Sequence, residues 1–374
     1  MKILQVSSAQ TLGGGERHLA DLANGLARRG HDVYAVLRPK SPLLNELNEL
    51  RKENVTTLPL RNSLDAKSAR DLARLVRKNE IQIVHAHMAR DYPLAAYATR
   101  MNPRSTLIVT RHVLFQLSRL HRITLAKASR IIAVSQAVAA QLKADAVASS
   151  EKISVVLNGI DAASFQEARQ RFNRADFLNA WNLPDDCLLV GTVGELTPLK
   201  GQEEFLRAAT QVLRQHPNAY FIIAGIDHSR GYENRIHIEQ LIEELNLSPR
   251  VRLAGWLENL AQLYCALDVF VSASHTESFG LVLAEAMAGG TAVVATETEG
   301  AREIIQPGVT GLLVPIGDVD ELANNIAALL ADKNERVRMG TAQQSATTRF
   351  SVERMIAETE TIYRTEIQVN KITE

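Results

Sequence analysis

The sequence predicts an α/β protein made of two doubly wound parallel-sheet domains. Short β-branched runs alternate with amphipathic helical stretches along the chain, the pattern of a parallel sheet covered by helices on both faces. This rhythm occurs twice, once in each half of the sequence. The length of 374 residues suits about two domains, and an apolar content of 46% is enough for two cores.

The predicted strands follow this alternation in order. In the first half they are Ile3–Ser7, Val33–Leu37, Val55–Pro59, Ile83–Ala86, Thr106–Thr110, Ile131–Val134 and Ile153–Leu157, and in the second half Leu188–Val193, Ala219–Ala224, Val251–Leu253, Val269–Ser272, Thr291–Ala295 and Leu312–Val314. Amphipathic stretches such as Arg17–Arg29 and Ala66–Lys78 predict the intervening helices.

A turn signal at residues 158–161, Asn-Gly-Ile-Asp, marks the domain boundary. We expect an N-terminal domain over 1–164 and a C-terminal domain over 165–351. The polar stretch Phe165–Trp181 reads as helical. The tail 352–374 also reads as a helix, and we expect it to pack back onto the first domain.

Composition narrows the class of protein. The two cysteines, Cys187 and Cys265, lie far apart, which favours a reducing compartment over a disulfide framework. No apolar run reaches the roughly 18 residues of a membrane span. The first residues, MKILQVSS, resemble a strand rather than a signal peptide. We expect a cytoplasmic protein, with peripheral binding to the inner face of the cytoplasmic membrane left open.

The net charge of zero hides an asymmetry between the halves. Residues 1–165 hold 24 Lys and Arg against 13 Asp and Glu, and the remainder holds 18 against 29. The basic half favours an anionic partner such as acidic lipid or a phosphorylated glycan; we expect no nucleic acid. Five cations stand among apolar residues in 111–130: Arg111, Arg119, Arg122, Lys127 and Arg130. This segment is either membrane-interfacial or a helix with one solvated basic face.

The most informative stretch is His275–Val314. It opens with two acids eight positions apart, Glu277 and Glu285, and Ser278-Phe279-Gly280 follows the first acid. A carboxylate beside a helix start offers backbone N–H donors to one polar ligand. We expect the second acid about two turns further on, roughly 12 Å along the helix axis. One ligand would reach both acids only if it were as long as a nucleotide-sugar.

Two other loops after strands carry candidate binding residues. Gly13, Gly14 and Gly15 allow positive φ and close approach of the backbone to a ligand. They form neither a G-x-G-x-x-G fingerprint nor a P-loop, and a plain strand-to-helix turn is the simpler reading. Lys200 ends the loop that starts at Gly194, just before a helix, where its ammonium could hold a diphosphate; a solvated surface lysine is the alternative.

Polar residues at other strand ends have competing interpretations. His112 follows a predicted strand and is a candidate for function. His85 and His87 could bind zinc, but the sequence offers no further Cys/His cluster to complete a site, so we interpret them as cleft-lining or structural. Asp318 and Asp320 form a D-x-D; because aspartate favours helix N-termini, we predict a cap and no metal ligand.

Taken together, these motifs resemble the retaining glycosyltransferases of family 4, which have the GT-B fold. The resemblance spans nearly the whole chain: residues 13–18 (GGGERH), 29–33 (RGHDV), 134–135 (VS), 158–161 (NGID), 200–201 (KG), 277–280 (ESFG), 285–290 (EAMAGG) and 311–315 (GLLVP). Single motifs are weak, but their joint order and spacing are specific. The implied fold is two Rossmann-like domains facing each other across a cleft, with the nucleotide-sugar donor on the C-terminal one.

The resemblance also implies roles. Glu285 would bond the ribose hydroxyls, and Lys200 would neutralise the diphosphate. Glu277 and the backbone N–H groups of Phe279 and Gly280 would hold the donor sugar or its phosphate, and His112 would contact the sugar near the reacting carbon. Gly13–Gly15 would close on the donor, and Gly194, Ser278 and Leu281 complete the implied donor-binding set. We predict Glu277, His112 and Lys200 as the catalytic residues.

The implied reaction moves a sugar from a nucleoside-diphosphate sugar, with UDP favoured, to a cell-envelope glycan or glycolipid such as a lipopolysaccharide core. It implies no cofactor and no metal, because lysine and helix termini supply the positive charge. Glu195 stands where the family usually has arginine. Its side chain would then point away, another cation such as Arg230 or Arg302 would substitute, or donor binding would be altered. A GT-B epimerase or phosphorylase and a non-catalytic nucleotide-sugar-binding protein stay open as alternatives.

Overall fold

The computed structural model describes residues 1–117 and 119–373. The chain forms two compact units. The N-terminal unit contains Met1–Gly159 together with Val352–Glu374, and the C-terminal unit contains Ile160–Ser351. The sequence-based boundary lies five residues further on, inside the first helix of the C-terminal unit.

In the described part of the N-terminal unit, seven parallel strands form one sheet in the order β3-β2-β1-β4-β5-β6-β7. The strands are β1 (Lys2–Ser7), β2 (Asp32–Leu37), β3 (Val55–Thr57), β4 (Ile83–Ala86), β5 (Thr106–Arg111), β6 (Arg130–Ala133) and β7 (Ile153–Val155). The helices are α1 (Gly14–Arg28), α2 (Ala66–Lys78), α3 (Tyr92–Arg100), α4 (Arg119–Ala126), α5 (Gln136–Ala144) and, from the end of the chain, α15 (Val352–Thr373).

The C-terminal unit repeats this design with six parallel strands in the order β10-β9-β8-β11-β12-β13. They are β8 (Leu188–Val193), β9 (Ala219–Ala224), β10 (Val251–Gly255), β11 (Val269–Ser272), β12 (Ala292–Thr296) and β13 (Leu312–Val314). The helices are α6 (Ala162–Arg171), α7 (Arg174–Ala180), α8 (Gln202–Gln215), α9 (Glu233–Glu244), α10 (Leu260–Ala266), α11 (Leu281–Gly289), α12 (Glu299–Ile304), α13 (Val319–Ala331) and α14 (Lys333–Ala346).

Each predicted strand is present, with bounds that differ by up to two residues. The central strands are apolar throughout because helices cover both of their faces. The helical prediction over Phe165–Trp181 needs one correction: the side chain of Asn173 caps a new helix by accepting from Ala175 N, so the stretch divides into α6 and α7. Among the described residues, no helix is long and apolar enough to span a lipid bilayer.

The C-terminal helix α15 packs against α1 within the N-terminal unit. Gly25 of α1 permits the close approach, because a Cβ at that position would lie 2.1 Å from Ile356 Cδ1. Tyr363 of the same helix is fully buried in the core of this unit. The last helix therefore completes a core built from the first 159 residues.

In both parallel sheets, the order in which strands are added reverses beside the first strand, at a position called the switch point. In the N-terminal unit the chain winds outward from β1 and then from β4, and in the C-terminal unit from β8 and then from β11. Loops at the carboxyl ends of two such strands diverge and leave a crevice, the usual ligand site of open parallel sheets. The loops after β1, β4, β8 and β11 are therefore where functional side chains are expected.

Candidate functional site

The crevice of the C-terminal unit contains Lys200 and Glu277. Lys200 ends a short 3₁₀ turn after β8, and Glu277 lies in the loop after β11. The Lys200 ammonium donates to Glu277 Oε1 at 2.6 Å. Glu277 is 9% exposed, so the fold brings a largely desolvated ion pair to its switch point. An ammonium has three N–H donors, and two stay available to a ligand beside Glu277.

The two loops that carry this pair are tied together through their backbones. His275 N donates to Leu199 O at 2.9 Å. Gly201 has φ of 66°, and a Cβ there would lie 2.0 Å from Ala273 O, so this contact requires glycine. Ser274 Oγ donates to Glu277 Oε1 at 2.9 Å. The Glu277 carboxylate is therefore held by two donors before any ligand binds.

Backbone donors lie next to the ion pair. Gly280, with φ of 93°, precedes α11, which begins at Leu281. Phe279 is buried, with its ring edge-on to that of Phe350. Across the described residues, the N–H groups of Phe279 and Gly280 enter none of the hydrogen bonds. Unused N–H groups at a helix start favour an oxyanion, as the sequence predicts for this turn. The side chain of Ser278 is half-buried in the same loop.

The position of Glu285 corrects the sequence-based spacing. The helix begins at Leu281, after Glu277, so only one turn, about 6 Å, separates its start from Glu285. Glu285 is fully buried, and its Oε2 accepts from the Tyr264 hydroxyl at 3.0 Å. The two acids therefore differ in surroundings: Glu277 pairs with a cation in a loop, and Glu285 bonds a phenol inside the unit.

The loop at Gly194 explains how Glu195 is accommodated. Gly194 N donates to Ala224 O at 2.9 Å, and the backbone oxygen of Glu195 accepts from Gln202 Nε2 at 2.9 Å. The Glu195 side chain itself is exposed, so water screens its charge. Of the two suggested replacement cations, Arg302 is already paired with Glu297 at 2.9 Å, and Arg230 is exposed.

The glycine loop of the N-terminal unit serves close packing rather than positive φ. None of Gly13, Gly14 and Gly15 is among the residues with positive φ. Gly13 caps α1, and its N–H donates to Glu16 Oε2 at 3.0 Å; burial raises the pKa of that carboxyl group. A Cβ on Gly15 would lie 3.3 Å from His112 Cγ. The glycines therefore let the start of α1 approach the His112 ring.

Four histidines gather at the switch point of the N-terminal unit. His85 and His87 come from the end of β4, His112 follows β5, and His18 projects from α1. His87 Nδ1 lies 3.3 Å from His112 Nε2, and the rings of His18 and His112 meet edge to face at 4.9 Å. The sequence offered no third ligand beside His85 and His87. The fold instead groups His87 with His18 and His112, and His85 is not part of this group.

Burial keeps this cluster neutral. It lowers the pKa of His18 to about 4, and it lowers those of His85, His87 and His112 well below the usual value. The charges that the neighbouring imidazoles would carry act in the same direction on the latter three. At neutral pH each ring therefore has one N–H and one lone pair.

Polar residues of the core fix the outer edges of these rings. His18 Nδ1 lies 2.9 Å from Asn158 Oδ1, and His87 Nε2 lies 2.8 Å from Gln5 Oε1. His85 lies between Thr110 Oγ1, at 2.7 Å, and the Tyr363 hydroxyl, at 2.5 Å. Every partner is buried, so His18, His85 and His87 are each anchored at their outer edge.

The D-x-D motif is a helix cap, as predicted. Asp318 accepts from Glu321 N at 2.9 Å and starts α13. Asp320 accepts from Gln211 Nε2 at 2.6 Å.

The basic segment is less available to a membrane than its sequence suggests. Arg111 is buried and donates to Phe115 O. Arg130 pairs with Glu366 at 2.6 Å, and Arg122 lies 3.6 Å from Asp145. Lys127 is exposed, and the side chain of Arg119 lies outside the described part of the chain. Two of the five predicted cations thus serve the fold itself.

Several residues of these sites had no assigned role from the sequence. His18 and Asn158 appeared only as parts of motifs, and Gln5, Tyr363 and Tyr264 were not singled out. Gln5 gave a usable signal, because it is a polar residue inside the buried strand β1. No local signal pairs Tyr363 with His85, since 278 positions separate them.

Comparison with known families assigns a separate family model to most of each unit. A model described as Glycosyltransferase Family 4 matches residues 12–164, and one described as Glycosyl transferases group 1 matches residues 173–346. Together they include all the predicted site residues.

Individual relatives extend the match. D-inositol 3-phosphate glycosyltransferase of Corynebacterium urealyticum is 33% identical over 57% of this chain and 51% of its own length. The match thus spans about half of that relative. N-acetyl-alpha-D-glucosaminyl L-malate synthase of Bacillus anthracis is 26% identical over 92% of this chain and 91% of its own length.

A solved structure matches over nearly the full length. Anabaena HepE in complex with UDP-glucose superposes with a TM-score of 0.84 and 25% identity, covering 97% of this chain and 99% of that one. Two parallel-sheet α/β units of this topology are the GT-B fold. On the two family models, the fold and these relatives, the chain belongs to the family 4 glycosyltransferases.

Proposed function

We propose that this protein transfers a sugar, with retention of anomeric configuration, from a nucleoside-diphosphate sugar to an acceptor hydroxyl, and that UDP is the favoured nucleotide. The observation that carries the proposal is the Lys200–Glu277 ion pair at the switch point of the C-terminal unit, beside the unused N–H groups of Phe279 and Gly280. A diphosphate needs this combination of a cation and oriented backbone donors. The UDP-glucose complex of HepE supports UDP as the first donor to test.

Each residue has a defined task in this mechanism. Lys200 and the two N–H groups stabilise the charge that develops on the diphosphate as it leaves, so the donor site needs no metal. Glu277 orients the ammonium and accepts from a sugar hydroxyl. Attack from the same face through an oxocarbenium-like state passes the acceptor proton to the departing phosphate. His112 contacts the sugar through its ring.

Glu285 takes a modified role in the proposal. Its carboxylate is buried against Tyr264. A ribose hydroxyl that reached Glu285 would donate to a carboxylate that the Tyr264 hydroxyl already orients. The hydroxyl of Tyr264 then becomes part of nucleotide recognition.

For the acceptor, we propose a glycan or glycolipid of the cell envelope, such as a lipopolysaccharide core. The exposed Phe115 and Ile123, with the exposed Lys127, support contact with an anionic lipid surface. The names of the two relatives point instead to small anionic acceptors, inositol phosphate and malate. Sedimentation with anionic vesicles separates the two: a glycolipid acceptor predicts binding that Phe115→Asp removes, and a small acceptor predicts none.

Donor binding and turnover test the proposal directly. The protein is titrated with UDP-, GDP- and ADP-sugars, and nucleotide release is followed with a panel of glycolipid and small anionic acceptors. We expect saturable binding of one nucleotide-sugar and acceptor-dependent release of the nucleotide. Binding without turnover across the panel would favour a non-catalytic sensor, and a new sugar nucleotide formed without acceptor would favour an epimerase.

Lys200→Ala is the decisive variant. Loss of one charge-stabilising group predicts a fall in kcat of at least ~100-fold. Lys333→Ala is the matched control, because this exposed lysine also stands at a helix start in the same unit. Circular dichroism must show that both variants are folded. A near-normal rate in Lys200→Ala would refute the assigned role.

A further inference from the structure

Three imidazoles of the N-terminal unit converge on one point. His18, His87 and His112 come from α1 and from the ends of β4 and β5, and one ring nitrogen from each lies within 4.8 Å of the others. His18 and His87 are buried, and His112 is half-buried. The cluster is therefore fixed on two sides and reachable on the third.

Hydrogen bonds orient the lone pairs toward this point. Asn158 Oδ1 accepts from His18 Nδ1–H, which leaves the lone pair on His18 Nε2. Gln5 Oε1 accepts from His87 Nε2–H, which leaves the lone pair on His87 Nδ1. Gln5 is held in this orientation because its own amide nitrogen donates to the Tyr363 hydroxyl at 3.4 Å. Metal-binding histidines have this arrangement, with the outer nitrogen donating to an oxygen and the inner one free to coordinate.

Among the described residues, His18 Nε2 has no hydrogen-bond partner, although it is inaccessible to solvent. His112 Nδ1 is also buried without a partner, but the His112 nitrogen that lies next to His87 is Nε2. His18 as a whole is only 3% exposed. A buried polar atom without a partner is unfavourable by about 1–3 kcal/mol, so its persistence calls for a ligand.

The distances suit a small metal ion. Tetrahedral Zn²⁺ with bonds of about 2.0–2.1 Å places its ligand nitrogens about 3.4 Å apart. His87 Nδ1 and His112 Nε2 are already 3.3 Å apart. The remaining separations are at most 4.8 Å, so binding of the ion requires them to shorten by up to about 1.4 Å.

We propose that the N-terminal unit binds one divalent transition-metal ion of the Zn²⁺ class through His18, His87 and His112, with an exchangeable fourth ligand on the accessible side of His112. All three ligands belong to the N-terminal unit. If His112 contacts the donor sugar, as the proposed function holds, a bound ion occupies that residue and Zn²⁺ inhibits transfer. Metal binding itself does not depend on that function.

The test is direct titration with Zn²⁺ and, as a spectroscopic probe, Co²⁺. We expect one ion per chain and the intense visible absorption of four-coordinate Co²⁺ with nitrogen ligands. His112→Gln should weaken binding by at least ~100-fold, while Asn158→Ala, which removes only the orienting oxygen, should weaken it by about 10–100-fold. His237→Gln is the control, since this exposed histidine lies in the other unit.

The outcomes are decisive even if a buried variant misfolds. His112 is the most accessible of the three rings, so its variant is the most readily folded one, and circular dichroism checks this. Absence of Co²⁺ absorption in the wild-type protein overturns the proposal. So does metal affinity that His112→Gln leaves unchanged, because binding would then reside on surface histidines.

Discussion

Substitution of His18 by glutamine should change how the stability of the N-terminal unit depends on pH. His18 is neutral in the folded protein because burial lowers its pKa to about 4, whereas in the unfolded chain it titrates near 6.5. A lowered folded-state pKa contributes stability above the unfolded pKa, and that stability is lost as pH falls through 6.5 toward 4. Glutamine keeps an N–H donor for Asn158 but takes up no proton.

The magnitude follows from the two pKa values. Between pH 7.5 and pH 5 the unfolded state gains about 2 kcal/mol from protonating His18, and the folded state gains almost nothing. The neighbouring His85, His87 and His112 act in the same direction, and Asp91 opposes them because burial raises its pKa to about 6. Comparison of variant with wild type cancels these other groups. The destabilisation caused by His18→Gln should therefore be about 2 kcal/mol smaller at pH 5 than at pH 7.5.

Urea unfolding can resolve this difference. Both tryptophans, Trp181 and Trp256, lie in the C-terminal unit, so their fluorescence reports that unit and serves as an internal reference. Far-UV circular dichroism contains both units, and the transition that fluorescence does not see belongs to the N-terminal one. Titrations at pH 7.5, 6 and 5 give the free energy of unfolding for variant and wild type.

One clear result would refute the neutral, buried state of His18. If the difference in free energy of unfolding between variant and wild type stays the same at all three pH values, burial does not keep His18 neutral. A gap that widens on acidification would mean that His18 is protonated in the folded state, which contradicts the geometry of the cluster.

Two further predictions concern the C-terminal unit. Gly201→Ala should destabilise this unit by more than about 2 kcal/mol, because the strain of a left-handed backbone adds to a Cβ contact 2.0 Å from Ala273 O. Gly317→Ala is the control for strain alone, because Gly317 has φ of 79° and open space around it. Equal losses of stability in the two variants, measured by tryptophan-monitored unfolding, would refute the steric argument. Tyr264→Phe removes the hydroxyl that donates to Glu285, so it should lower the free energy of unfolding by about 1–3 kcal/mol and weaken binding of UDP. If isothermal titration gives an unchanged dissociation constant for UDP, Glu285 has no part in nucleotide recognition.

Local sequence patterns were sufficient for the elements of both sheets. Each strand is an apolar run of a few residues. Strands buried on both faces are apolar throughout, so they can be recognised in the sequence. Asp318 as a helix cap was legible for the same reason, because capping depends only on residues one turn apart. Lys200 and Glu277 were singled out because each follows a strand of the sheet.

Residue spacing predicted a helix where the chain forms a loop. Glu277 and Glu285 were placed two helical turns apart, but the helix begins only at Leu281 because Gly280 adopts positive φ. The glycines at 13–15 were singled out because glycine allows positive φ and close backbone approach. None of them adopts positive φ, and a Cβ on Gly15 would crowd the His112 ring. Loop conformation depends on tertiary packing, which local composition does not encode.

The sequence by itself determined the strands of the two sheets and the loops from which functional side chains emerge, since short-range hydrophobic periodicity marks both. The order of the strands within each sheet came from the tertiary structure. Only the tertiary structure decided which side chains meet. The Lys200–Glu277 pair, the burial of Glu285 against Tyr264 and the cluster of His18, His87 and His112 join residues from 21 to 94 positions apart. Such encounters follow from how parallel strands bring distant loops to one edge, and no local pattern records them.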